Sequence, residues 1–140
     1  MSWQFFALSS AFFAGLTAIF GKLGVEGLNS NLATLIRTVV IFILTAAIVT
    51  LRGEWQLPTQ GLGTRPITFL ILSGIATGFS WLFYYRALQL APASLVAPID
   101  KLSVAFAILL AVIFLGETLT LKLAIGATFI LIGVMILAWP

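Results

Sequence analysis

Five long runs without a charged residue constrain this chain more than any other feature. A hydrocarbon core about 30 Å thick is crossed by roughly 20 apolar residues in a helix. A helix also satisfies its own backbone hydrogen bonds in lipid. The sequence therefore predicts an all-α membrane protein with five transmembrane helices. Extended to their flanking polar or turn residues, the runs place these helices at about 3–25, 30–51, 66–90, 94–116 and 120–139.

The composition also indicates that the chain lies in a lipid bilayer, and it excludes several kinds of chemistry. Charged residues make up 8% of the chain, whereas a soluble domain carries roughly 25%. The chain contains no cysteine and no histidine, which excludes disulfides, thiol catalysis and histidine-based metal sites. A single buried acid without these residues forms no recognisable catalytic set. We therefore expect neither an enzyme nor a protein with a metal or cofactor, and the small net charge of +3 does not indicate a nucleic-acid partner.

The connections between the predicted helices are short, so residues 1–140 are expected to form one transmembrane domain. The one longer loop, 52–65, is rich in glycine, proline and polar residues. Positively charged loops tend to lie in the cytoplasm, and this loop carries Arg52 and Arg65. The expected location is the cell inner (plasma) membrane, with several passes.

Charged residues inside the predicted spans are expected to form one polar layer. With a helical rise of ~1.5 Å per residue, Arg37 lies about 10 Å into the second span and Asp100 about 9 Å into the fourth. Arg86 lies about 7 Å from the end of the third span by the same rise, and Lys101 follows Asp100. Charges at such depths usually face a bundle interior or a wet cavity. The alternative for the arginines, and the expectation for Lys22, is snorkelling to the headgroups.

Asp100 is the acid of this layer and needs a partner. Neighbouring helix positions point in different directions, so Arg86 or Arg37 is expected to pair with Asp100, rather than chiefly Lys101. A purely structural ion pair is the alternative to a polar cavity. Pro98 removes a helical hydrogen bond and predicts a kink, either at a transport site or as plain packing.

Aromatic and small residues complete the predicted site. Trp81 and Tyr85 are assigned to the cavity, although an aromatic belt at the membrane interface is an equal alternative. Gly126 and Gly133 lie seven residues apart on one face of the fifth span. Small residues permit close helix contact, so these two glycines are expected to pack against a second subunit.

The segments "YYRALQLAPASLVAPIDKLSVAFAILLAVIFLGETLT" (84–120) and "GATFILIGVMIL" (126–137) resemble the EamA domain of the drug/metabolite transporter superfamily. The similarity covers nearly the whole chain. The residues that carry it are Arg37, Tyr84 or Tyr85, Ala87–Leu88, Pro98 and Gly116–Glu117.

The resemblance implies a transporter that moves a small metabolite or drug by alternating access. Members of this family usually carry two such domains as an inverted repeat, and this sequence carries one. The resemblance therefore implies a homodimer in the bilayer, possibly antiparallel. Small multidrug exporters of the superfamily use a carboxylate in their first helix, which is lacking here before Glu26. A lipid-linked sugar flippase subunit and a non-transporting membrane assembly partner are the alternatives.

Overall fold

The computed structural model describes residues 2–56 and 63–139. Within these ranges the chain is helical and contains no strand. Five helical segments are long and apolar enough to cross a membrane, which confirms the predicted fold class. The helices are α1 (Trp3–Gly24), α2 (Ser30–Leu51), α3 (Thr64–Leu90), α4 (Ala93–Asp100), α5 (Leu102–Leu115) and α6 (Leu121–Ala138).

The helix ends lie where the polar and turn residues of the sequence predicted them. The largest difference is at α3, which begins at Thr64 rather than near residue 66. Residues 57–62 of the predicted loop lie outside the described residues. Two helices begin at side-chain caps, which satisfy otherwise free backbone N–H groups. Asn29 Oδ1 accepts from the N–H of Asn31 at 2.9 Å, and Thr120 Oγ1 accepts from the N–H of Leu123 at 3.3 Å.

Gly116 ends α5 in a conformation that favours glycine. Its φ is +68°, in the left-handed region that side chains with a Cβ rarely adopt. The N–H of Glu117 donates to the carbonyl of Ala111 at 3.3 Å, which satisfies one of the last free carbonyls of the helix. The glycine of the "GE" pair is thus explained by the helix end itself.

The described chain divides into two compact units. The first unit contains Met1–Lys22 and Leu90–Pro140, and in it α6 packs against both α4 and α5. The second unit is Leu23–Gln89, which contains α2 and α3. The expectation of one domain over residues 1–140 stays a prediction.

The fourth predicted span is interrupted within the first unit. Pro98 lies inside α4, which ends at Asp100, and α5 begins at Leu102. Around the joint at Lys101 the hydrogen bonds shorten to three residues. The N–H of Lys101 donates to Pro98 O at 2.9 Å, and the N–H of Val104 donates to Lys101 O at 3.0 Å. The predicted irregularity near Pro98 therefore takes the form of a tightened turn at Lys101.

Candidate functional site

Three aromatic side chains lie on one face of α3. Trp81, Tyr84 and Tyr85 occupy positions i, i+3 and i+4, which are neighbours on a helix surface. The Trp81 ring centroid lies 5.6 Å from that of Tyr84 and 5.9 Å from that of Tyr85. These distances fall in the range of favourable aromatic pairs. Tyr85 is buried, with 5% of its surface exposed, so this face of α3 is a protein contact rather than a simple lipid-facing belt.

Arg37 of α2 brings a positive charge to this aromatic face. Its guanidinium carbon lies 3.1 Å from the centroid of the Trp81 ring and 5.8 Å from that of Tyr85. Guanidinium groups within about 6 Å of an aromatic face are attracted by the ring, by roughly 0.5 to 2 kcal/mol depending on desolvation. The structure thus brings together three residues that the sequence assigned to the site. We call Arg37, Trp81, Tyr84 and Tyr85 the arginine–aromatic cluster.

The surface of α2 around Arg37 is made of small and hydroxyl-bearing residues. Ser30 and Thr34 are both 6% exposed, and they lie about two turns and one turn before Arg37, respectively. The hydroxyl of Thr34 donates to Ser30 O at 2.9 Å, and that of Thr38 donates to Thr34 O at 2.8 Å. Each hydroxyl thus donates its hydrogen bond to a backbone carbonyl of the same helix. The longest polar side chain on this stretch of α2 is therefore Arg37.

The charge of Arg37 is not neutralised by a carboxylate of its own unit. The described carboxylates of this unit are Glu26 and Glu54, and Glu54 pairs with Arg52 at 3.5 Å. Neither carboxylate forms an ion pair with Arg37 in the described part of the chain. The ring of Trp81 covers one face of the guanidinium, whereas the N–H groups point outward from its edge. The Trp81 ring therefore holds the cation in place without covering the N–H donors at the edge of the guanidinium.

Arg86 is tied into a second, structural network. It donates to Gln89 Oε1 at 3.0 Å, and Gln89 Nε2 donates to Leu28 O at 2.6 Å and to Val25 O at 3.4 Å. Gln89 thus fastens the end of α3 to the turn before α2. The sequence interpretation missed Gln89, although an amide near the end of an apolar helix was a signal for it. The predicted cavity role of Arg86 stays a prediction.

Asp100 forms its ion pair with Lys101, at 3.4 Å between Oδ2 and Nζ. The expectation that Lys101 is not its chief partner is therefore wrong within this unit, where the long lysine side chain reaches its neighbour across the joint after α4. Arg37 and Arg86 belong to the other unit, and the pairing of either with Asp100 stays a prediction. The two side chains are 38% and 53% exposed in the chain. The predicted place of these two residues and Pro98 in a substrate cavity stays a prediction.

Lys22 has a defined protein contact instead of only reaching toward headgroups. Its Nζ donates to the carbonyl of Ala91 at 3.1 Å. Ala91 follows the last residue of α3 and precedes α4, where carbonyl groups lack helical partners. The expectation that Lys22 merely snorkels is corrected by this contact.

The small residues of α6 have open space beside them. A Cβ built on Gly126 or Gly133 would meet no atom within 4 Å, and the same is true of Gly74 and Gly78 in α3. The described part of the chain therefore supplies no close helix contact at these positions. The packing of Gly126 and Gly133 against a second subunit stays a prediction.

Comparison with known proteins gives a consistent picture over nearly the whole chain. The model of the EamA-like transporter family matches residues 1–139, in agreement with the resemblance seen in residues 84–120. An uncharacterised transporter from the cobO 3′ region of Sinorhizobium sp is 55% identical over 137 residues, covering 98% of this chain and 96% of its own. An uncharacterised protein of Methanocaldococcus jannaschii is 30% identical, covering 91% and 90%.

A more distant relative is named for an activity. The probable 4-amino-4-deoxy-L-arabinose-phosphoundecaprenol flippase subunit ArnE of Yersinia pestis is 26% identical over 85 residues, which cover 61% of this chain and 75% of that protein. No solved structure matches the chain.

Proposed function

Because this chain belongs to the EamA-like transporter family, we propose that it moves a small metabolite or drug across the inner (plasma) membrane by alternating access. The observation that carries the proposal is the stacking of Arg37 on Trp81 inside the second unit. Arg37 lies seven residues into α2, which is about 10 Å by helical rise. A charge at that depth in a membrane helix marks a polar pathway by default.

The stacking argues against a merely snorkelling arginine. A snorkelling side chain extends its charged end to the headgroups along the lipid surface. The guanidinium carbon of Arg37 instead lies over the Trp81 ring, 3.1 Å from its centroid, and 5.8 Å from the centroid of the Tyr85 ring. The buried state of Tyr85 places this contact against protein. We therefore assign Arg37, Trp81 and Tyr85 to the substrate-binding part of the transporter.

The working assembly in this proposal is a homodimer. Transporters built as inverted repeats bind substrate between two halves near the bilayer midplane. One five-helix sequence supplies one such half, so a second copy, inserted in the opposite direction, would complete the site. Gly126 and Gly133 have no atom near their Cβ positions, which leaves room there for a partner helix. This support is geometric, and the parallel dimer is the competing arrangement.

Asp100 is the proposed site of ion coupling. It lies at the interruption between α4 and α5 and pairs with Lys101. Interrupted membrane helices are common at substrate and ion sites of secondary transporters. A carboxylate that exchanges a lysine partner for a proton changes the local charge by one. This gives the residue pair a role in coupling, with Pro98 favouring the interruption.

Flux into vesicles is the direct test of the proposed function. The purified protein would be reconstituted into liposomes and screened with a panel of radiolabelled metabolites and drugs, with and without a pH gradient. We expect uptake of at least one compound, lost in Arg37→Gln and Trp81→Leu. Phe79→Leu is the matched control, because Phe79 lies on the same helix and is 59% exposed. Uptake that is unchanged in both cluster variants would contradict the assignment of the site.

A second candidate function is supported by the relative named as a flippase subunit. In that case the protein would help to move a lipid-linked sugar between leaflets. Vesicles that contain a fluorescent polyprenyl-phosphate sugar distinguish the two, because flipping exposes the label to a quencher that cannot cross the membrane. A non-transporting assembly partner is the third possibility, and in it Asp100 and Arg86 would be dispensable for any flux.

A further inference from the structure

We infer that the edge of the Arg37 guanidinium is the binding site for an oxyanion, a carboxylate or phosphate group, on the transported molecule. That the bound molecule is transported rests on the proposed function, but its binding can be tested without any measurement of transport. Four features carry the inference: the orientation of the guanidinium, its hydrogen bonding, its charge and the rings beside it.

The stacking geometry leaves the donor groups of Arg37 available. A guanidinium is planar, and its five N–H groups point outward in that plane. The guanidinium carbon lies 3.1 Å from the centroid of the Trp81 ring, so the indole covers a face of the group and not its edge. The side chain makes no hydrogen bond to any residue in the described ranges. In a membrane helix, donors without a protein acceptor need a ligand or water.

The charge of the group also calls for an anion. An aromatic ring attracts a cation without neutralising it. Within the unit Leu23–Gln89, the described carboxylates do not pair with Arg37, since Glu54 binds Arg52 and Glu26 forms no ion pair. The nearby hydroxyls of Thr34 and Thr38 donate to backbone carbonyls. Within the described part of its own unit, the positive charge of Arg37 is thus held in position but not compensated by a carboxylate.

The shape of the donor edge favours an oxyanion over a neutral acceptor. Two parallel N–H groups match the two oxygens of a carboxylate or phosphate, and such paired bonds are about twice as strong as neutral ones. Trp81, Tyr84 and Tyr85 add ring surface beside the charge. The ligand class is therefore an amphipathic molecule that carries an oxyanion next to an apolar or planar body. A soluble acid and a lipid phosphate both fit this description.

Trp81 itself provides the signal for a binding experiment. The chain has four tryptophans, and replacement of Trp3, Trp55 and Trp139 by phenylalanine leaves Trp81 as the single reporter. The full chain is placed in nanodiscs of phosphatidylcholine and titrated with sodium butyrate or with inorganic phosphate, at ionic strength kept constant with sodium chloride. A third series replaces part of the lipid with phosphatidylglycerol.

We expect a saturable change in Trp81 emission that Arg37→Gln abolishes. Arg37→Lys keeps the charge but loses the planar pair of donors, so its affinity should fall about tenfold or more. Arg52→Gln is the matched control, because Arg52 follows the other end of the same helix and pairs with Glu54. Its titration should match that of the parent. Circular dichroism verifies that each variant keeps its helices.

Each outcome decides the inference. Saturation by butyrate or phosphate supports a soluble oxyanion, and a change seen only with phosphatidylglycerol supports a lipid headgroup. No saturable change in any series, or an equal change in Arg37→Gln, overturns the site. Flux separates this result from the proposed function. Binding without any flux refutes transport and leaves the site standing, whereas flux that is unaffected in Arg37→Gln refutes the site and leaves transport standing.

Discussion

The guanidinium of Arg37 on α2 lies against the ring of Trp81 on α3, with 3.1 Å between the guanidinium carbon and the ring centroid. A cationic side chain in a membrane helix is usually expected to form an ion pair with a carboxylate. Here the partner is an aromatic ring, which fixes the position of the charge and leaves it uncompensated within its unit.

The Arg37–Trp81 contact should be measurable as a coupling free energy. Arg37→Met and Trp81→Leu, alone and together, form a double-mutant cycle in which only the pairwise term survives. We expect a coupling of about 1 to 2 kcal/mol, because the contact is half-buried. The free energy of unfolding in mixed detergent micelles is the measurement. The same cycle with Phe79→Leu in place of Trp81→Leu should give a coupling near zero, and equal couplings in both cycles would contradict the assignment.

Gln89→Leu should loosen the turn between α1 and α2. Its amide nitrogen donates to Leu28 O at 2.6 Å and to Val25 O at 3.4 Å. In the variant, Leu28 O loses this donor, whereas Val25 O still accepts from the N–H of Leu28 at 3.4 Å. A hydrogen bond that is not fully buried contributes about 0.5 to 1.5 kcal/mol, so the free energy of unfolding should fall by about that amount. A cysteine placed at Asn29 should also react faster with a water-soluble maleimide. Arg86→Gln should have a smaller effect, since Gln89 keeps both bonds to the turn.

Gly116→Ala should destabilise the end of α5. The φ of +68° is unfavourable for a residue with a Cβ, by roughly 1 to 2 kcal/mol. Gly15→Ala is the control, because Gly15 lies inside α1, has no positive φ and has nothing within 4 Å of its Cβ position. Thermal unfolding monitored by circular dichroism should show a lower midpoint for the first variant only. Equal midpoints would mean that the conformation of Gly116 is not required.

Asp100→Asn should abolish proton-coupled flux with little loss of stability. The Asp100–Lys101 pair is 38% and 53% exposed in the chain, and exposed ion pairs contribute about 0 to 1 kcal/mol. A structural role would instead lower the free energy of unfolding by several times that amount. The measurements are flux into vesicles with a pH gradient and unfolding in micelles. Normal flux in Asp100→Asn would remove the coupling role.

Gly133→Leu should weaken the proposed dimer without disturbing the single chain. A Cβ at this position meets no atom within 4 Å, so the position borders open space in the single chain, whereas a leucine there would obstruct a closely packed partner helix. Crosslinking in native membranes should show a smaller dimer fraction. Gly15→Leu is the control on another open helix surface. A fully active protein that is monomeric before and after the change would rule out the dimer.

The fold was predictable because the membrane simplifies the problem. Charges and turn residues such as Asn29, Pro92 and Gly116 interrupt the apolar sequence, and the helix ends follow them to within two residues. The residues of the candidate site were also visible, since Arg37 and Trp81 are polar or amphipathic residues inside apolar spans. Family-wide motifs strengthened the interpretation, because the "GE" pair coincides with a helix end that needs glycine.

The partners of these residues were not predictable in the same way. Depth along a helix follows from residue number, but the direction of a side chain depends on which neighbour offers the better contact. Arg37 was one of two candidate partners of Asp100 and contacts an indole within its own unit, whereas Asp100 pairs with its neighbour Lys101. In the second case the long lysine side chain reaches Asp100 at 3.4 Å even though neighbouring helix positions diverge. Gln89 was missed because the groups that accept from its amide nitrogen are backbone carbonyls of a distant turn, which residue types do not reveal.

The stacking of Arg37 on an aromatic ring has a consequence for which molecules the site would disfavour. An ion pair would present little net charge to a passing molecule, whereas a guanidinium stacked on Trp81 presents its full positive charge. At about 10 Å and an effective dielectric constant near 20, two like charges repel by about 1.7 kcal/mol. This corresponds to roughly a seventeenfold lower local concentration of a monovalent cation. In the proposed transporter, the tryptophan that holds the arginine in place would therefore also disfavour cationic compounds at this site.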